Sequence, residues 1–152
     1  MEVKHFFFYG CLMSNFPNHE KLLKPHTLSV DKATTYGVLY HLPCGYPVMC
    51  VGEGKIKGEV MLLKDTRTLI TYLDVLKGYY GPGREENHYE RIIQLVEVES
   101  TGEKLPAYVY TYPAHLGKEL ELSAIAIPDG DWSSFMGGLR KTKECKTCVW
   151  QG

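Results

Sequence analysis

The sequence predicts one α+β domain built on a curled mixed β-sheet or a small β-barrel. Its 152 residues fall within the size range of a single domain. Segments with strand character outnumber those with helical character, and the two kinds do not alternate regularly, which argues against a parallel α/β fold. Hydrophobic residues make up 44% of the chain and charged residues 23%. This is the composition of an ordinary globular protein rather than a disordered one.

The first strand is the most distinctive element. Residues 6–13 read Phe-Phe-Phe-Tyr-Gly-Cys-Leu-Met, and an apolar run without polar alternation is typical of a strand covered on both faces. Gly10 ends the run, and a glycine there tolerates a positive φ and lets another backbone or a ligand come close. The backbone amides of Cys11 and Leu12 can then line a pocket, although the same pattern also fits a plain strand end in an ordinary core.

The later elements follow from periodicity and from turn residues. A short helix is predicted before Pro25, and an amphipathic helix begins near Asp65 or Thr66 and ends before Gly78. Further strand character extends over residues 33–42, 47–51, 55–63, 89–98 and 105–112, of which the last two form a hairpin.

Two segments near the later strands are expected to be irregular or capped. Residues 79–88 contain Gly, Pro and charged side chains, a composition that predicts an exposed, mobile loop able to cover a pocket. Asp131 follows a turn and is placed to cap a short terminal helix that runs to about residue 139.

The charge balance favours a small-molecule partner. Seventeen basic and eighteen acidic residues give a net charge of -1 without a basic cluster, which argues against nucleic acid. No segment has the pattern of a leader peptide, and no apolar run approaches the eighteen or so residues that span a bilayer, so we expect a cytoplasmic protein without a membrane partner. The five cysteines are expected to be reduced, and neither a cofactor nor a metal is expected.

Cys145 and Cys148 form a Cys-x-x-Cys pair near the C-terminus. Such a pair supplies half of a zinc site or a redox pair, but no second pair occurs and the six histidines are scattered. We interpret it as an incidental, exposed pair within a flexible tail of residues 141–152, which follows a folded domain of residues 1–140.

Several short motifs occur in the order of a known family. Tyr9-Gly10-Cys11-Leu12 resembles the Tyr-Gly-Thr-Leu or Tyr-Gly-Ser-Leu opening motif of the gamma-glutamylcyclotransferase-like superfamily, which includes the AIG2-like and BtrG-like proteins. Further resemblances, in chain order, are Asn18-His19, residues 36–40, Gly45-Tyr46-Pro47, residues 56–60, Leu73-Asp74, Tyr89-Glu90-Arg91, residues 107–110 and the Gly-Asp-Trp of residues 127–132. The ordered set covers about residues 5–135 and identifies the chain as a member of this superfamily.

The resemblance implies a small mixed β-barrel flanked by short helices, with a cavity for a γ-glutamyl group. In that family the α-amine of the γ-glutamyl compound attacks its own side-chain carbonyl and releases an amine and 5-oxoproline. The α-ammonium needs a base and the departing amine needs a proton, and one carboxylate can serve both. Backbone amides can stabilise the oxyanion. The resemblance places these residues at the ligand: Tyr9, Gly10, Cys11, Leu12, Tyr46, Tyr89 and Arg91.

The chain departs from the family at the catalytic position. The family's glutamate lies three residues after the Asp of its Leu-Asp pair, and that position is Lys77 here. A lysine is charged at pH 7 unless it is deeply buried, and the adjacent Gly78 and polar loop argue against such burial. Lys77 can instead bind a carboxylate, either of a ligand or of Asp74, through charge-assisted hydrogen bonds.

Other charged residues are candidates for the missing roles. Glu85 and Glu86 are possible substitutes for the glutamate, although a carboxylate on a loop is harder to hold in line than one on a helix. Glu90 points away from the cavity if its neighbours in the strand face it. Arg91 is equally suited to a ligand carboxylate and to an ion pair or ring stack.

Three functions therefore remain open from the sequence. The leading one is cyclisation of a γ-glutamyl amine to 5-oxoproline. The second is a non-catalytic protein that binds a small anionic γ-glutamyl-type ligand, because Lys77 replaces the glutamate. The third is a different acyl or amide chemistry in the same cavity.

Overall fold

Five strands close into a mixed barrel. The structure is a computed structural model that describes residues 3–43, 45, 47–113, 116 and 124–140, without the side chains of residues 138–140. Its strands are β1 (His5–Phe8), β2 (Thr27–His41), β3 (Pro47–Leu63), β4 (Glu90–Val98), β5 (Lys104–Thr111) and β6 (Ile125–Ala126). Around the barrel the order is β3, β1, β5, β4, β2 and again β3, while β6 pairs with β2 outside the ring. The pairing of β1 with β5 is parallel and the others are antiparallel. This confirms the predicted α+β class and the small mixed barrel.

The two longest strands form one extended hairpin. β2 and β3 pair from Thr27 opposite Leu63 to His41 opposite Pro47, with a register shift beside Gly37. The predicted segments 47–51 and 55–63 are therefore a single strand. A Cβ on Gly54 would lie only 2.7 Å from the Gly37 carbonyl oxygen, so small residues let the strands stay paired through the irregularity.

The described helices lie between and after the strands. α1 (Thr66–Lys77) begins with the side chain of Asp65 accepting a hydrogen bond from the Thr68 amide, and it ends at Gly78 with a left-handed φ of 65°. α2 (Trp132–Arg140) is capped by Asp131, as predicted, because the Asp131 side chain accepts a hydrogen bond from the Ser134 amide. No helix in the described part of the chain is long and apolar enough to cross a lipid bilayer.

The short helix predicted before Pro25 differs in kind from the expectation. Residues His19–Leu23 form a π-helical turn, and Lys24–His26 form a 3-10 turn. Pro25 lies inside the second turn rather than stopping the first, because the start of a helical turn leaves its amides unpaired and tolerates proline.

The core surrounds β1 on both faces. Phe6, Phe7 and Phe8 are all less than 5% exposed. Outside the barrel, Trp132 of α2 is fully buried and its ring lies 5.2 Å from that of Phe16. This packing holds the segment that follows β1 against the terminal helix. It therefore fixes the position of the C-terminal end of β1, which borders the cavity described below.

Candidate ligand-binding site

A small cavity, with about 20 Å³ of space for the centre of a water-sized sphere, opens at the C-terminal end of β1. Residues 7–12 form one wall, and Pro47, Lys77, Tyr89 and Tyr110 complete the lining. The walls are mostly aromatic and apolar side chains, as is usual in small-molecule sites. The structure thus brings together six of the predicted site residues: Tyr9, Gly10, Cys11, Leu12, Lys77 and Tyr89.

The Tyr9 hydroxyl joins three strands beneath the cavity. It donates a hydrogen bond to the Tyr110 carbonyl at 2.7 Å and accepts one from the Met49 amide at 3.3 Å. Burial raises the pKa of Tyr9 well above the ordinary tyrosine range, so the side chain is neutral. Tyr89 makes a similar link, since its hydroxyl donates to the Pro47 carbonyl at 3.0 Å. Tyr9 thus holds the start of β3 beside the end of β1, and Tyr89 holds it beside the start of β4.

A tight turn follows β1, and its two central residues line the cavity. The Met13 amide donates to the Gly10 carbonyl at 3.0 Å, which places Cys11 and Leu12 at the centre of the turn. None of the backbone hydrogen bonds outside helices and strands in the described chain is donated by the amides of Cys11 or Leu12. Two adjacent donors of this kind can bind an anion or a polarised carbonyl oxygen.

Gly10 is required for space and not for its φ. Gly10 is absent from the residues with a positive φ, so the expected left-handed conformation is not used. A Cβ at this position would lie 2.5 Å from Cγ of Pro47, closer than such atoms approach. The predicted close approach therefore exists, but the group that approaches is the proline ring of β3.

Lys77 supplies the charge of the cavity. It is the last residue of α1, and its Nζ lies 4.9 Å from the centroid of the Tyr89 ring, within the distance of a cation–π contact. Lys77 is the one ionised side chain at neutral pH among the described residues of the lining. Lys77 therefore lines the cavity as a cation.

The second predicted cation, Arg91, is held outside the lining. Its guanidinium binds Asp74 through Nε at 2.9 Å and Nη2 at 3.3 Å, and it lies against the rings of Tyr79 and Tyr108. Asp74 also accepts the Tyr110 hydroxyl at 2.6 Å. Burial, and then the bond to Asp74, raise the pKa of Tyr110 far above its ordinary value. Asp74 thus forms an ion pair with Arg91 and holds the side chain of Tyr110, which lines the cavity.

The candidate substitute carboxylates also lie away from the lining. Glu85 and Glu86 are exposed, and Glu86 pairs with Arg84 at 2.7 Å. Their loop is tied at its base, where buried Asn87 donates to the loop backbone and to Glu90. Glu90 supports the loop instead of facing the cavity. Tyr46, Cys145 and Cys148 lie outside the described residues.

Besides Phe7 and Phe8 of β1, two residues of the described lining, Pro47 and Tyr110, were not predicted as site residues. Both belong to quoted motifs, Gly45-Tyr46-Pro47 and residues 107–110, but no chemistry pointed to them. Pro47 acts through its shape and its carbonyl. Tyr110 is brought to the cavity by the pairing of β5 with β4 and by its bond to Asp74.

Comparison with known proteins identifies the family of the chain. The model of the family "Gamma-glutamyl cyclotransferase, AIG2-like" matches residues 6–134. A protein provisionally named gamma-glutamylcyclotransferase from Halalkalibacterium halodurans is 32% identical over 110 residues, which cover 71% of this chain and 88% of that protein. Gamma-L-glutamyl-butirosin B gamma-glutamyl cyclotransferase from Niallia circulans is 33% identical over 115 residues, covering 75% of this chain and 71% of that one.

The likeness extends to solved structures. The crystal structure of YkqA from Bacillus subtilis superposes with a TM-score of 0.63 at 22% identity, and the match covers 93% of this chain and 44% of that one. At this identity the match concerns the fold alone. The family match and the two similar proteins show that the chain belongs to the AIG2-like gamma-glutamyl cyclotransferase family.

Proposed function

We propose that this protein binds a small γ-glutamyl compound in the cavity at the end of β1. The observation that carries the proposal is the turn of Gly10–Met13, whose central residues Cys11 and Leu12 line the same cavity as Lys77. The ligand's γ-carbonyl oxygen accepts hydrogen bonds from the amides of Cys11 and Leu12. The aromatic rings of Tyr9 and Tyr89 enclose the aliphatic part of the glutamyl group.

Lys77 then binds the α-carboxylate of the ligand. An ammonium and a carboxylate form a charge-assisted hydrogen bond, which is stronger in a partly enclosed cavity than in water. The position of Lys77 at the end of α1, against the Tyr89 ring, directs its cation to the cavity. The ligand class is therefore anionic.

The described part of the chain does not supply this cavity with the base that cyclisation requires. No carboxylate is among the described residues of the lining, and the nearby Asp74 is engaged by Arg91 and Tyr110. The α-ammonium of a bound ligand stays protonated without a base and is a poor nucleophile. We therefore propose that the protein holds its γ-glutamyl ligand without cyclising it through residue 77.

A second candidate function is the cyclotransferase reaction itself, with release of 5-oxoproline. Its support is the similarity to the Niallia circulans cyclotransferase over 75% of this chain. This function requires a carboxylate from elsewhere, and Glu85 and Glu86 on the exposed loop are the candidates. They would have to leave their present positions, where Glu86 pairs with Arg84.

A panel of γ-glutamyl amides distinguishes the two functions. Each compound is tested for a rise in melting temperature and for 5-oxoproline release. Stabilisation without product supports the binding protein, and product that depends on Glu85 or Glu86 supports the cyclotransferase. If no compound stabilises the protein and none releases 5-oxoproline, both functions are contradicted.

We also propose the extent of the functional unit. The family match ends at residue 134 and α2 at Arg140. A domain of residues 1–140 with a tail of residues 141–152 is consistent with both. A chain truncated after residue 140 should keep the melting temperature and the ligand affinity of the full protein.

A further inference from the structure

His19 lies behind the turn that carries the amides. It is the first residue of the π-helical turn and is 5% exposed. Its Nδ1 lies 3.1 Å from the Leu12 carbonyl oxygen, a hydrogen-bond distance that links residues seven positions apart. Because a carbonyl only accepts, Nδ1 must carry the proton in this bond. His19 does not line the cavity, so its role toward a ligand is indirect.

The bond from His19 completes the restraint of one peptide plane. The peptide between Leu12 and Met13 is bound at both of its polar ends, since Leu12 accepts from His19 and Met13 donates to Gly10. A peptide unit is planar, so fixing its carbonyl and its amide fixes its orientation. The Gly10 carbonyl is fixed by the same bond, and with it the Cys11 amide that shares its plane.

The support for His19 is rigid. The amides of Met13, Phe16 and His19 each donate to a carbonyl three residues earlier, in Gly10, Met13 and Phe16 respectively. Phe16 packs on Trp132 of α2 with ring centroids 5.2 Å apart. The imidazole is therefore carried by a segment anchored in the core, and it reaches back to the turn from a fixed base.

We propose that His19 is a positioning residue for ligand binding, which holds the turn of Gly10–Met13 in the shape that aims the amides of Cys11 and Leu12 into the cavity. This inference rests on the proposed function, because it assigns those amides to the γ-carbonyl of the ligand. Loss of the Nδ1 donor frees the Leu12 carbonyl, and the turn then samples shapes in which the two amides diverge.

Two substitutions separate the hydrogen bond from the packing of the ring. His19→Phe keeps a planar ring and removes the donor, whereas His19→Asn gives up the ring and keeps a side-chain amide that can donate at a similar position. His26→Ala is the matched control, because His26 is an exposed histidine of the following 3-10 turn. Thermal unfolding of every variant identifies any that has lost the fold.

The first readout is independent of ligand. Hydrogen exchange of the Met13 amide should be about tenfold faster in His19→Phe than in the wild type, while the amide of Met49, bound to Tyr9, is unchanged. The second is the affinity for γ-glutamyl methylamide by calorimetry, which should fall about tenfold in His19→Phe. It should stay within about threefold of wild type in His19→Asn and be unchanged in His26→Ala.

The outcomes decide separately on the residue and on the function. Unchanged Met13 exchange and affinity in His19→Phe would overturn the role of His19, and so would an equal loss in His19→Asn, which would show that ring packing matters instead. If the wild type binds no γ-glutamyl compound, the proposed function fails. In that case the exchange of the Met13 amide still shows whether His19 holds the turn.

Discussion

Replacement of Tyr9 by Phe removes one hydroxyl from the floor of the cavity and keeps the ring. That hydroxyl is the partner of two buried backbone groups, the Tyr110 carbonyl at 2.7 Å and the Met49 amide at 3.3 Å. A buried polar group left without a partner costs about 1–3 kcal/mol. Part of this cost is offset because the hydroxyl itself no longer has to be desolvated. We therefore expect Tyr9→Phe to lower the free energy of unfolding by about 2–4 kcal/mol.

The measurement is chemical and thermal unfolding followed by circular dichroism. For a domain of this size, each kcal/mol corresponds to roughly 2–4 °C in melting temperature, so the midpoint should fall by about 4–16 °C. Tyr36→Phe is the matched control, because Tyr36 is 64% exposed, and we expect it to change stability by less than about 0.5 kcal/mol. If Tyr9→Phe behaves like Tyr36→Phe, the hydroxyl does not join the three strands and the account of the cavity floor is wrong.

Three further predictions concern the same region. Lys77→Glu should raise 5-oxoproline release from γ-glutamyl amides at least about a hundredfold over the wild type. Lys77→Gln should not raise it, because an amide cannot act as the base. If Lys77→Glu folds but releases no 5-oxoproline, the claim that the cavity lacks only the base is wrong. The fold raises the pKa values of Tyr9 and Tyr110 above that of tyrosine in the unfolded chain, which is near 10. Their contribution to stability is therefore complete below pH 10 and is lost as the pH rises further. Above pH 10 the free energy of unfolding should fall by up to about 1.4 kcal/mol per pH unit for each tyrosine. Tyr9→Phe should show a smaller alkaline loss, and an equal loss would contradict the assignment. Asp74→Asn should destabilise the protein by about 1–3 kcal/mol. The partly buried Arg91 then loses its carboxylate partner, and the Tyr110 hydroxyl loses a charged acceptor. An unfolding curve like that of the wild type would refute this prediction.

Local patterns in the sequence predict much of the fold. The apolar run of β1, the spacing of apolar residues in α1 and the caps at Asp65 and Gly78 each depend on residues that are close in the chain. The closure of the barrel is different. It depends on the pairing of β2 with β3 along their whole length, from Thr27 opposite Leu63 onwards, and no local signal reports such a register.

The site divides in the same way. The turn after β1 and the cation at residue 77 follow from short motifs. The ion pair of Asp74 with Arg91 cannot be predicted from short motifs, because these residues are 17 positions apart. Tyr110, which also binds Asp74, is 36 positions from it, and the barrel brings the three residues together. The sequence therefore predicts which residues are chemically available, and the packing decides that Lys77 reaches the cavity while Arg91 is held by Asp74.

The direct test of the account is whether Lys77 binds the α-carboxylate of a γ-glutamyl ligand. Calorimetry would compare γ-glutamyl methylamide with its α-carboxamide analogue, on the wild type and on Lys77→Met. The account predicts that the wild type binds the carboxylate compound at least about tenfold more tightly than the analogue and that Lys77→Met binds the two about equally. Equal binding of the two compounds by the wild type, or an undiminished preference in Lys77→Met, would contradict it.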